Sequence, residues 1–89
     1  MKAIVTVIGK DKIGIISNIS TILAKYGVNI LDISQTILQG YFTMMMFVDL
    51  KNMDISFAKL KEELDLLGNK LEVSIIIQQE DVFKAMHRI

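Results

Sequence analysis

The apolar positions of this chain change period five times, and each change marks a new element. Ala3-Ile4-Val5-Thr6-Val7-Ile8 is a nearly unbroken β-branched run that stops at Gly9, as a buried strand does. From Ile15 the spacing becomes helical: Ile15, Ile19, Ile22, Leu23 and Tyr26 recur on one face, with Ser17, Asn18, Thr21 and Lys25 between them. Gly27 is the expected stop. Val28 to Gln39 and Tyr41 to Leu50 read as two strands around a tight Gln39-Gly40 turn, a hairpin. Lys51-Asn52-Met53-Asp54 is a loop with Asp54 as the expected N-cap. Phe57, Leu60, Leu64 and Leu67 then form a second helical stripe, which Gly68-Asn69 should end. Leu71, Val73, Ile75 and Ile77 alternate with Glu72, Ser74, Ile76 and Gln78 as a fourth strand. Glu80 to Ile89 is a short helix with acids at its start and bases at its end, as the helix dipole prefers.

The order is βαββαβ with a tail helix. Tyr26-Gly27-Val28-Asn29-Ile30 and Leu67-Gly68-Asn69-Lys70-Leu71 look like equivalent helix-to-strand corners of two interleaved halves. The fold class is therefore α+β, a ferredoxin-like sandwich: a four-stranded antiparallel sheet with two helices on one face, plus a short C-terminal helix. We expect residues 1–89 to form one domain, with a core at 2–78 and the tail helix at 80–89.

Such a sandwich leaves one sheet face without a helix layer. On the third strand Phe42, Met44, Met46, Val48 and Leu50 should face the helices, and Tyr41, Thr43, Met45, Phe47 and Asp49 should face away. Ile76 joins the outward set. The Met44-Met45-Met46 run is then a strand with methionine on both faces. Val82, Phe83, Met86 and Ile89 of the tail helix would cover part of the open face, and a second subunit the rest. At about 25 cal/mol per Å² of apolar area, covering such a face is worth several kcal/mol. Tyr41, Met45, Phe47, Ile76 and Phe83 are the interface candidates.

Composition adds to this picture. Fifty-two per cent of the 89 residues are hydrophobic, high for a lone small domain, which again points to a homodimer or larger assembly. Ten basic residues balance ten acidic ones, so no electrostatic case arises for a nucleic-acid or membrane partner. No run approaches transmembrane length and no signal-peptide layout opens the chain, so a cytoplasmic protein is expected. The chain has no cysteine, which removes disulfides, thiolate metal sites and cysteine catalysis. Among ferredoxin-like functions, a metal chaperone would need Cys-x-x-Cys in the first loop. An acylphosphatase would need an arginine there, and the one arginine is Arg88. RNA binding would want a basic frame around Tyr41 and Phe47. His87, the single histidine, has no catalytic partner in sequence and reads as a solvated tail residue. No catalytic residue, metal site or cofactor is expected.

Gly9-Lys10-Asp11-Lys12-Ile13-Gly14-Ile15, at the first strand-to-helix junction, carries the candidate chemistry. Glycines here can aim backbone N–H groups outward, and those groups with the helix dipole suit a carboxylate. The plainer reading is a tight turn in which Asp11 caps the helix or meets a lysine. Asn29 is either a turn residue or an amide that donates to a carboxylate and accepts from an ammonium. Asp32 is a solvated strand charge or the partner of a ligand's amino group.

The run from Gly9 through Asp11 and Gly14 to Gly27-Val28-Asn29-Ile30 resembles the ACT domain. The family pattern is similar: glycine, acid and glycine after the first strand, a helix, then Asn-Ile opening the second strand. The resemblance spans Ala3 to about Gln78 and extends to single-ACT-domain proteins related to the paired-ACT glycine cleavage system transcriptional repressor. It implies a stand-alone regulatory module that holds a small amino acid or related carboxylate between subunits, and no enzyme. Carried over by position, it points to Asp11, Ile13, Gly14 and Asn29. The residues themselves add the N–H of Ile15 and the carboxylate of Asp32. Gly9 stands where some family members place a ligand-contacting side chain, and Lys12 where others have proline or another polar residue. The alternative is a protein–protein interaction module that uses the exposed sheet face and C-terminal helix and takes no small ligand.

Overall fold

Strand parity organises the core. A computed structural model describes residues 1–86 of the chain. In β1 (Lys2–Lys10) every second side chain, at Ala3, Val5 and Val7, is fully buried, while Ile4 and Thr6 on the opposite parity are half-exposed. β3 (Tyr41–Asp49) pairs antiparallel with β1, setting Val5 opposite Met46 and Val7 opposite Met44, so the buried sets of both strands share one face. β4 (Ser74–Gln79) pairs with the other side of β1 and buries Ile75 and Ile77 on that face. β2 (Asn29–Leu38) pairs with β3, giving the sheet order β2-β3-β1-β4.

Two helices cover the buried face. α1 (Ile15–Lys25) contributes Ile15, Ile19 and Leu23, and α2 (Phe57–Leu71) contributes Leu60, Leu64 and Leu67, all in one core cluster with the sheet. The α1 stripe expected from residue spacing is the buried one, and Gly27 ends the helix. Gly27 N–H donates to Ala24 O at 3.1 Å and Val28 N–H to Leu23 O at 2.9 Å, the paired bonds of a Schellman turn. Tyr26 Oη donates to Glu63 Oε1 at 2.6 Å and ties that end of α1 to α2. The β2–β3 hairpin turns at Gln39-Gly40, both with positive φ, as a two-residue turn between right-twisted strands requires. The ferredoxin-like sandwich is thus present, and the inward and outward sets of β3 fall as its alternation indicates.

Three local expectations fail, all around α2. The N-cap is Ser56, whose hydroxyl accepts the Lys59 N–H at 3.1 Å, and not Asp54. Gly68-Asn69 does not end the helix. Gly68 is buried inside α2, and a Cβ there would lie 2.8 Å from the Val73 carbonyl oxygen, so the glycine permits close approach of β4. The helix runs on to Leu71 and closes at Glu72, which takes the left-handed conformation (φ 59°). Leu71 therefore belongs to α2 and not to the fourth strand, and residues 67–71 are no counterpart of the Tyr26–Ile30 corner.

α3 (Glu80–Met86) follows β4 directly and packs against β1 and β4. The expected continuation of this helix to Ile89, including the tail position of His87, lies outside the described residues.

Candidate functional site

The loop after β1 is built around two glycines with different roles. Gly9 lies on the helix-facing parity of β1. A Cβ on it would meet Val73 Cγ1 at 2.6 Å, so Val73 fills the space a side chain would take. Gly9 is required by packing, and the side-chain ligand contact of some ACT members has no counterpart at this position. Gly14 holds φ 93°, the left-handed region that L side chains rarely adopt, and serves as the N-cap of α1. Its carbonyl accepts Asn18 N–H at 3.0 Å, Asn18 Nδ2 at 2.6 Å and Ser17 Oγ at 3.3 Å.

That arrangement spends the polar side chains of the first turn on a carbonyl. The first-turn N–H groups of α1 receive no side-chain cap, and the turn contains no acid. Asp11 does not cap the helix. Its backbone N–H donates to Gly40 O at 2.9 Å, which fastens the loop to the β2–β3 turn. Ile13 projects into solvent at 102% exposure, whereas Ile15 is 2% exposed and its side chain belongs to the core. Of Ile15, only the backbone faces outward chemistry. Lys12 Nζ lies 3.7 Å from Glu72 Oε1 and bridges the loop to the end of α2.

Asn29 and Asp32 sit elsewhere. Asn29 and Lys2 both register with Asp49, at the end of the sheet where β1 begins. The loop lies where β1 finishes, eight residues along, roughly 25 Å away at 3.3 Å per residue. One chain therefore gathers Asp11, Ile13, Gly14 and Ile15 at one end and Asn29 and Asp32 at the other. Asp32 follows a bulge between Ile30 and Asp32, and its Oδ1 accepts the Ile33 N–H at 2.9 Å. It borders a shallow groove of about 210 Å³ floored by Ile4, Met45 and Phe47 on the open face.

The interface candidates occupy that face. Tyr41, Met45 and Ile76 are exposed, Phe47 and Phe83 are half-buried, and Lys2 Nζ stands 5.7 Å from the Phe47 ring centroid. Met44 and Met46 are fully buried on the opposite face. Sequence reasoning passed over Ser17 and Asn18, whose only signal was a polar pair opening the helix. It also missed the junction of Asp11 with the hairpin turn, which no local pattern encodes. Among the described residues no three His, Cys, Asp or Glu side chains gather as a metal site, and no helix is long and apolar enough to cross a membrane.

Comparison with known proteins gives concordant matches. The ACT domain family profile matches residues 2–78. A UPF0237 protein of Clostridium acetobutylicum is 61% identical over 89 residues, covering 100% of both chains. Another, from Methanocaldococcus jannaschii, is 51% identical over 88 residues, covering 99% of this chain and 98% of the relative. Among solved structures, an ACT domain protein from Streptococcus pneumoniae superposes with TM-score 0.81 at 46% identity over 94% of each chain. A putative glycine cleavage system transcriptional repressor superposes with TM-score 0.74 at 21% identity, over 88% of this chain and 44% of its own length, a likeness of fold alone.

Proposed function

Because the chain belongs to the ACT domain family, we propose that it is a regulatory module that binds a small amino acid or related carboxylate between two subunits. One observation carries this reading: the two halves of the candidate site lie at opposite ends of one chain, separated by a bare edge strand. β2 is ten residues long and contains no lysine, arginine or proline. Its outer edge has no strand partner among the described residues, and Leu31, Ile33, Ile37 and Leu38 are exposed along it. Edges of that length and composition invite pairing.

Antiparallel pairing of β2 with β2 of a second copy brings the start of one strand to the end of the other. Side chains keep to their own faces when the two-fold axis passes through Gln35, which sets Ile33 opposite Ile37 of the second copy. Asn29 then stands beside the second copy's Gln39-Gly40 turn, to which the Asp11 loop is fastened. The carboxylate of the ligand lies against the N–H groups of Ile13, Gly14 and Ile15, where the α1 dipole contributes about 0.3–1 kcal/mol. The Asn29 amide orients it from across the interface, and Asp11 or Asp32 faces the ammonium. A ligand bridging two chains favours the assembled state, and assembly in turn strengthens binding. The exposed open face supports a second reading, a protein-recognition module without a small ligand.

The test is thermal unfolding of dialysed protein against the twenty amino acids at millimolar concentration. A ligand at 100 times its Kd should stabilise by about 2.7 kcal/mol, many degrees for a domain of this size. Asn29→Ala and Asp11→Asn, both at exposed positions, should each shrink the response while leaving the ligand-free Tm in place. A flat panel removes the ligand reading. A response that both variants retain unchanged removes the site.

A further inference from the structure

The Met44-Met45-Met46 run is a sequence motif that the core explains only in part. Met44 and Met46 are fully buried, whereas Met45, on the opposite parity of β3, is 37% exposed and lines the groove on the open face. Its cross-strand neighbours are Thr6 on β1 and Ser34 on β2. The three side chains stand in one row across the sheet, with neighbouring Cβ atoms about 4.5–5.5 Å apart. The Met45 thioether therefore has a hydroxyl on either side. Among the described residues neither hydroxyl has a hydrogen-bond partner. Met86 offers the contrast. It is 64% exposed, but its sulfur accepts Gln78 Nε2 at 3.1 Å.

We propose that Met45 is an oxidation site, at which hydrogen peroxide converts the thioether to a sulfoxide with help from Thr6 and Ser34. The sulfur lone pair attacks one peroxide oxygen. An S–O bond forms as the O–O bond breaks, and the departing hydroxide takes the proton of the S–OH group and leaves as water. Sulfur gives up two electrons, and the peroxide gains them. Negative charge develops on the departing oxygen, where the two flanking hydroxyls can donate. Afterwards they donate to the sulfoxide oxygen, a stronger acceptor than the thioether it replaces. The Met86 sulfur, engaged by Gln78, is the poorer nucleophile of the two despite its greater exposure. A sulfoxide is polar and chiral, so the floor of the groove changes from apolar to polar. Met44 and Met46, buried on the other face, keep the core as it is. Oxidation at Met45 requires no small ligand and no second subunit, and so stands apart from both readings of the function.

The native protein would be held in millimolar hydrogen peroxide, sampled over time, digested and read by tandem mass spectrometry, which separates the three adjacent methionines. Exposure alone places Met86 ahead of Met45. The expected order is the reverse, with Met44 and Met46 unmodified while the far-UV CD spectrum stays native. Thr6→Val combined with Ser34→Ala should slow oxidation of Met45 several-fold and leave Met86 unchanged. Thr6→Ser, which keeps the hydroxyl, should keep the wild-type rate. If the double variant loses its CD spectrum, Ser34→Ala alone, at an exposed position, gives the same readout with a smaller slowing. Oxidation of Met86 ahead of Met45 overturns the proposal, as does a Met45 rate indifferent to loss of the hydroxyls.

Discussion

Gly9 and Val73 compete for one space, and the outcome separates packing from chemistry at the residue scale. A Cβ at Gly9 falls 2.6 Å from Val73 Cγ1 and 2.9 Å from Val73 Cβ, and a short branched side chain has no room to swing away. Gly9→Ala should therefore destabilise by about 1–3 kcal/mol, as overpacking does. Adding Val73→Ala should recover part of that loss, read as non-additivity in urea unfolding. If the two changes simply add, the glycine is there for another reason. Gly14 differs in kind: a Cβ there would meet only side-chain atoms, Asn18 Nδ2 at 3.1 Å being the nearest, and it is the left-handed φ of 93° that L side chains rarely adopt. Two glycines five residues apart thus look alike in sequence and answer to different physics.

At the scale of elements, periodicity decided more than boundary residues did. The stripes of α1 and α2 were legible because burial of an apolar face is what makes these helices stable. The ends of α2 were not legible. Asp54 and Ser56 are both acceptable caps by type, and only the direction in which the chain enters the helix selects Ser56. Ser56→Ala should cost about 1 kcal/mol in chemical denaturation. Asp54→Ala should stay within about 0.5 kcal/mol, because the backbone N–H that Asp54 gives to Tyr26 O at 3.1 Å survives the change. Equal losses would mean that Asp54 shares the capping. Gly68 misled for a related reason: glycine usually marks a helix end, but here it lets β4 pass close to a continuing helix.

At the scale of the whole molecule, too much apolar surface remains for an isolated chain of 89 residues. Much of it lies on the β2 edge and on the open sheet face, against which only α3 packs among the described residues. If assembly shields them, folding and association are linked. The apparent Tm should then rise by several degrees over a hundredfold increase in protein concentration in differential scanning calorimetry. A Tm independent of concentration would uncouple assembly from stability and weaken both interfaces. The candidate site obeys the same logic. Asp11 and Gly14 could be picked out from a glycine-bracketed loop and Asn29 from a helix exit, but nothing local reveals that they lie at opposite ends of the sheet.

The sequence by itself determined the order of elements, which β3 side chains enter the core, and the surplus of apolar surface. Those properties follow from period, residue type and count, which need no knowledge of distant neighbours. The tertiary structure decided where α2 begins and ends, why Gly9 and Gly68 have no side chain, and which edge stays unpaired. It also decided that the ligand-site candidates cannot meet within one chain. Each of these depends on contacts between segments far apart in sequence, where backbone approach and strand direction, and not local preference, set the answer.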